Sequence, residues 1–182
     1  MKSLLALVFM IFSGSAFATT IDFQEFPYGY DDDKTVITQG YEFSSSATLL
    51  FSSPYGSGSP DIMLGYCPGC TATMSNASGY GFSLDSLDIT RATSGGTESV
   101  TITGFYAGGG SVSVDLPVIA GLVTHNFDSS WSSLVSVEFG ASDSLHTFDF
   151  LFVDNIAVTT VPVPAAFWLF VSALGLLGFR KQ

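Results

Sequence analysis

Few side chains in this sequence could do chemistry at a defined spacing, and Cys67-Pro-Gly-Cys70 is the clearest set. Two cysteines three apart can make a redox centre, half of a zinc site or a small disulfide. Zinc needs two more ligands, and the only histidines are His125 and His146, far along the chain in strand-like contexts. A redox centre needs the pair to open a helix, whereas Thr-Ala-Thr-Met-Ser-Asn follows. An oxidised loop staple is the expectation, and so short a loop gains only about 2 kcal/mol from closure. Asp31-Asp32-Asp33 suggests a cation, but the twelve-residue calcium loop with its glycine and closing glutamate is missing. Three adjacent acids fit a solvated turn better. No Gly-x-Ser-x-Gly elbow accompanies the serines and histidines, and no acid pair is marked out for sugar hydrolysis. Trp131, Tyr55, Tyr66, Tyr80 and Tyr106 lie beside turns and could stack on sugar rings; Trp131 could equally cap a core.

The elements that must position these residues are strands. Alternation with period two recurs at Ile21-Asp-Phe23, Val100-Thr-Ile102, Val112-Ser-Val114-Asp-Leu116, Val135-Ser-Val137-Glu-Phe139 and Phe148-Asp-Phe150-Leu-Phe152. Weaker runs cover 35–43, 47–52, 81–90 and 122–127. Glycine- and serine-rich turns separate them, as at Ser94-Gly-Gly96, Gly108-Gly-Gly110 and Ser142-Asp-Ser144. No stretch between Thr19 and Thr160 carries a helical apolar repeat. Eight or nine strands with short turns predict an all-β fold, an antiparallel β-sandwich of jelly-roll type, expected to be monomeric.

All 16 acidic residues lie between Thr19 and Thr160, with only Lys34 and Arg91 against them, so this body carries a net charge near −14. Nucleic acid and anionic lipid, which need clustered cations, are excluded as partners of the body.

The two ends differ from the body. Met1 to Ala18 has a lysine, an apolar run from Leu4 to Phe12 and the small-residue spacing Ala16-Phe17-Ala18. It reads as a signal peptide cleaved before Thr19. At the other end, Ala165 to Phe179 is uncharged over 15 residues and followed by Arg180-Lys181. As a helix this run covers about 22 Å, and with Val161 to Pro164 it approaches a membrane span. The basic pair then fixes a cytoplasmic C-terminus and an exported body.

Val161, Pro162, Pro164, Ala165, Ala166, Trp168, Leu169 and Phe170, with Ser172, the Leu174–Gly178 run and Arg180-Lys181, make this tail resemble the PEP-CTERM family of sorting domains. The closest variant has the consensus Val-Pro-Leu-Pro-Ala-Ala. Val163 replaces the glutamate of the founding form, and Ala173 stands where glycine is usual. The resemblance covers residues 161–182 and implies that exosortase, a membrane-embedded processing enzyme of bacteria that make exopolysaccharide, reads the tail. Pro162 and Pro164 would hold an extended segment for that enzyme.

The body's Ile21-Asp-Phe23, Gly81-Phe-Ser-Leu-Asp-Ser-Leu-Asp-Ile89, Val100-Thr-Ile-Thr-Gly104 and Phe152-Val-Asp-Asn-Ile-Ala-Val158 resemble the jelly-roll ectodomains of such proteins, which are similar to galactose-binding-like and carbohydrate-binding modules. That resemblance implies a structural calcium tying first and last strands, with Asp22 or Glu25 and Asp154 as its ligands. No other cofactor is implied. The expected function is a non-enzymatic exported protein of the cell surface or matrix, associated with exopolysaccharide. The alternative is a carbohydrate-binding module with structural calcium, and a glycan hydrolase is the remote third.

Overall fold

The alternating runs become strands because each can bury one row of branched or aromatic side chains while the other stays polar. The computed structural model describes residues 17–26, 31–32, 35–46, 49–52, 61–64, 71–91, 98–118, 121–141 and 151–160. Cys67, Cys70, His146, Tyr55, Tyr66, the leader to Ala16 and the tail from Val161 to Gln182 lie outside them. The described strands are β1 (Phe17–Ile21), β2 (Asp31–Asp32), β3 (Thr35–Thr38), β4 (Tyr41–Ser45), β5 (Leu49–Ser52), β6 (Asp61–Leu64) and β7 (Thr71–Asn76). They continue with β8 (Phe82–Arg91), β9 (Glu98–Tyr106), β10 (Ser111–Val118), β11 (Val123–Asn126), β12 (Leu134–Ala141) and β13 (Leu151–Thr160). One 3-10 turn, Ser129–Trp131, precedes β12.

Thirteen strands replace the eight or nine expected, because β2, β6 and β7 lie outside the alternating runs and the run 35–43 divides; two of these have local reasons. The run 35–43 is cut in two by a tight turn at Gln39 (φ 48°) and Gly40 (φ 85°), with Thr38 opposite Tyr41. Two positive φ values in a two-residue loop give the turn whose twist matches the flanking strands. The second reason is β7, whose inward side chains are Ala72 and Met74. Neither favours strands by propensity, so tertiary burial decides.

Every pairing is antiparallel. One layer has the order β3-β4-β7-β12-β9-β10. The other places β11-β8-β13 beside β6-β5-β2, and β1 shares an edge of β13 with β6. The ladder passes between layers through one residue pair, Leu134 opposite Phe82. First and last strands are neighbours, Phe17 opposite Thr160 and Ile21 opposite Ile156.

Between the layers lie Ile21, Phe23, Phe43, Met74, Phe82, Leu84, Leu87, Ile102, Leu134, Val137, Val153, Ile156 and Val158, all essentially without solvent contact. Each such side chain contributes about 1.5–3 kcal/mol of transfer free energy. Edge-on ring contacts order this core: Phe23 to Phe43 at 5.2 Å and Tyr41 to Phe82 at 5.3 Å. Irregularities keep the inward rows intact. On β13, Asn155 adopts φ 46° and the register with β8 shifts after Asp154, so Val153 and Ile156 both point inward although three residues apart. Leu84 and Leu87 make the matching shift on β8. These are bulges that preserve burial across an odd spacing.

Candidate functional site

The outer face of the first layer follows directly from the strand registers. Glu138 on β12 lies opposite Thr73 on β7, which continues to Ser44 on β4 and Thr35 on β3; to the other side come Thr103 on β9 and Ser113 on β10. A parallel row reads Ile37, Glu42, Ser75, Ser136, Phe105 and Ser111. A third holds Thr71, Gly140, Thr101 and Asp115. Six strands spaced about 4.8 Å apart make a platform roughly 24 Å wide. Its surface is almost entirely hydroxyl and carboxylate, with Phe105 and Ile37 as apolar members. Within it, side-chain hydrogen bonds among described residues are confined to the third row and its margin. Thr101 Oγ1 donates to Asp115 at 2.6 Å, and Ser45 and Ser46 donate to the Thr71 carbonyl. The two inner rows of hydroxyls are left facing solvent.

The opposite face, on β8, β11 and β13, also carries acids and hydroxyls, but they bind one another. Asp88 accepts from Thr124 Oγ1 at 2.5 Å and from Asn155 Nδ2 at 2.9 Å. Asp85 accepts from Thr159 Oγ1 at 2.6 Å. Asp154 lies across the ladder from Asp88 and is only 4% exposed. Asp88 is thus tied to structural donors and Asp154 is hidden, a poor arrangement for attacking a polymer from solution.

The sequence-predicted metal ligands are not gathered. Asp22 follows β1 and its Oδ1 accepts from Gln39 Nε2 at 2.8 Å, Glu25 is exposed in the following turn, and Asp154 is buried on β13. Among the described residues no group of three or more His, Cys, Asp or Glu could hold a metal. Asp31 and Asp32 form β2 against β5. Ala18 and Thr19, which flank the expected cleavage point, lie within β1 opposite Thr159 and Val158. No helix among the described residues is long and apolar enough to cross a membrane. The sorting residues Val161, Pro162, Pro164, Ala165, Trp168, Arg180 and Lys181 fall outside that range, as does the Cys67–Cys70 pair.

Of the turn aromatics, Trp131 caps the core at 5% exposure, with Phe127 at 4.5 Å and His125 edge-on to Phe127 at 4.9 Å. Tyr106 donates its hydroxyl to the Ser130 carbonyl at 2.6 Å. The 3-10 turn behind them is capped by Asp128, whose carboxylate accepts from the Ser130 hydroxyl and backbone N–H. Those two bonds hold its pKa below the ordinary carboxylate value. Sequence reasoning missed the hydroxyl platform. Its trace was present as Thr71-Ala-Thr73, Thr101-Ile-Thr103 and Ser111-Val-Ser113, but only the pairing of distant strands puts these on one face.

No protein-family model and no curated protein matches the chain. Solved structures do. A family 29 carbohydrate-binding module variant complexed with cellulohexaose superposes with a TM-score of 0.51 at 17% identity, covering 80% of this chain and 91% of that one. A family 29 module from Piromyces equi gives 0.52 at 11% identity, covering 81% and 93%. The likeness is one of fold: the chain is a jelly-roll β-sandwich of the architecture found in carbohydrate-binding modules.

Proposed function

We propose that the body is a non-catalytic carbohydrate-binding module whose glycan lies across the hydroxyl platform of β3-β4-β7-β12-β9-β10. The observation that carries this reading is a contrast in commitment: the acids Asp85 and Asp88 on the opposite face are held by Thr159, Thr124 and Asn155, whereas Ser44, Thr73, Glu138, Thr103 and Ser113 stand in one register row, at least partly exposed and with no side-chain bond among the described residues. Serine and threonine hydroxyls both donate and accept, and carboxylates accept, which suits the alternating hydroxyls of a sugar chain. Phe105 adds an apolar surface for the C–H face of a ring. Among the described residues the platform carries Glu42, Glu138 and Asp115 and no basic side chain, so the ligand is a neutral glycan rather than a uronic-acid polymer. The fold of modules named for carbohydrate binding, one of them holding a cello-oligosaccharide, supports the same reading.

The chain is delivered as an exported protein, and its 161–182 tail is read by an exosortase-type enzyme of an exopolysaccharide-producing cell. Affinity electrophoresis of the full chain through neutral β-glucans and through alginate tests the glycan. Retardation is expected in a neutral gel only. The triple variant Thr73→Val, Thr103→Val, Glu138→Gln should weaken it by roughly a hundredfold, at about 1 kcal/mol per lost hydrogen bond. Full retention by that variant moves the site off this face. Binding to no glycan would leave an exported matrix protein whose body touches no sugar. For the tail, Pro162→Ala with Pro164→Ala should leave an uncut form, since the gripped segment can then coil. Normal trimming of that variant would reduce the tail to a plain anchor.

A further inference from the structure

Among the described residues, five strands pair along one side only, and β10 is the longest of them. It spans eight residues, whereas β1, β2, β3 and β11 span five, two, four and four. A long open edge invites another strand unless lysine, proline or a bulge blunts it. β10 reads Ser111-Val-Ser-Val-Asp-Leu-Pro-Val118, has no basic residue, and keeps an unbroken register with β9. The phase of that ladder fixes which backbone groups face outward. Tyr106 N–H donates to the Gly110 carbonyl at 3.2 Å, so the bonded pairs continue through Val112–Gly104, Val114–Ile102 and Leu116–Val100. Ser111, Ser113 and Asp115 therefore direct their N–H and C=O groups away from β9. Pro117 falls in the same set, where its missing donor costs β9 nothing. On the inward side, Val112 and Val114 pack against the core yet stay only partly buried.

We propose that β10 pairs antiparallel with β10 of a second copy about a two-fold axis through Ser113, in place of the single copy expected of the sequence. That register is self-complementary, as a two-fold contact must be. Ser113 faces the second copy's Ser113 and Ser111 faces its Asp115, which puts the outward N–H donors of all three residues to use. The facing of hydroxyl and carboxylate repeats the pair that Thr101 makes with Asp115 at 2.6 Å. Val112 meets the second copy's Val114, closing the core where it is half open. A register centred on Asp115 would set two carboxylates face to face, and one that draws in Pro117 would lack a donor. Bodies near −14 repel one another, but salt screens that term while the ladder bonds stay. The row from Thr35 to Ser113 then runs on through the second copy, two platforms of roughly 24 Å making one about 50 Å wide. The pairing itself does not depend on the glycan reading.

Sedimentation equilibrium of the full chain in detergent micelles tests this, at about 0.1 mM protein and about 0.5 M salt, where the Debye length is roughly 4 Å. Wild type should have the mass of two chains. Ser113→Pro removes only an N–H that faces away from β9, so it should weaken association by roughly tenfold or more. Its melt, taken at high dilution, should stay within about 2 °C of wild type. Ser113→Lys keeps the backbone donor but sets two ammonium groups face to face, and should separate the copies as well. If the proline variant melts far below wild type, the lysine variant alone decides. A wild type with the mass of one chain overturns the pairing. So does a two-chain mass kept by the lysine variant, which would put the contact elsewhere on the chain.

Discussion

The two outer faces of this sandwich are built from the same side chains and arrive at opposite states. On the first layer, registers over β4, β7, β12, β9 and β10 are regular apart from one shift between Leu134 and Ser136; the facing pair Thr101 and Asp115 bonds across the ladder, while Ser44, Thr73, Glu138, Thr103 and Ser113 make no side-chain bond among the described residues. On the second, Thr124 bonds to Asp88 directly across the ladder, and the Asn155 bulge and the shift at Asp85 add Asn155 to Asp88 and Thr159 to Asp85. Facing residues of complementary type bond on either layer; the bulge and shift of the second add donors that the more regular first layer does not. The difference also separates what each face is worth to stability from what it is worth to binding.

The largest expected effect breaks both faces together. Leu134 has no solvent exposure and sits at the single pair joining the layers. Leu134→Ala is expected to cost about 2–5 kcal/mol by lost transfer and cavity formation, lowering the melting temperature by roughly 10 °C. A melt within a degree or two of wild type would mean that the junction carries no special weight.

Next come the variants that separate the faces. Asp88→Ala leaves Thr124 and Asn155 without their acceptor and is expected to cost about 1–2 kcal/mol, with glycan retardation unchanged. Thr73→Val should do the reverse: stability within about 0.5 kcal/mol of wild type and weakened retardation. Denaturant titration and affinity electrophoresis of both variants decide the matter. If the two shift stability equally, the contrast between spent and open faces is wrong.

Much of this arrangement was legible beforehand, and the parts that were not share a cause. Alternation located β8, β9, β10 and β12 because their inward residues are branched or aromatic. It overlooked β7, whose Ala72 and Met74 carry little strand preference, and merged β3 with β4 because Gln39, unlike asparagine, gives no hint of a left-handed turn. The neighbouring first and last strands were anticipated through Ile21 and Val153-Asp-Asn155-Ile. A calcium joining them was expected of Asp22, Glu25 and Asp154; among the described residues no group of three such ligands is brought together, and Asp22 accepts from Gln39 of the β3–β4 turn. The hydroxyl platform could not be read at all. It depends on which distant strands pair, and the polar half of an alternating run is the same whether it faces a ligand or bulk water.

The smallest effect concerns Asp128, on the 3-10 turn at the margin between the faces. Hydrogen bonds from the Ser130 hydroxyl and N–H favour its charged form and lower its pKa in the folded chain. A group with a depressed folded pKa contributes stability above its unfolded value near 3.8, and that contribution fades as pH falls through the folded value. Acidification also relieves repulsion across a body near −14, so the wild-type melt alone would mix the two effects. Asp128→Asn isolates the charge, because the amide oxygen can still accept from Ser130. Wild type should melt slightly above the variant near pH 6, with the gap closing by about pH 2 as Asp128 takes up its proton. A gap that stays constant over that range would show that the cap works through its geometry and that its charge contributes nothing.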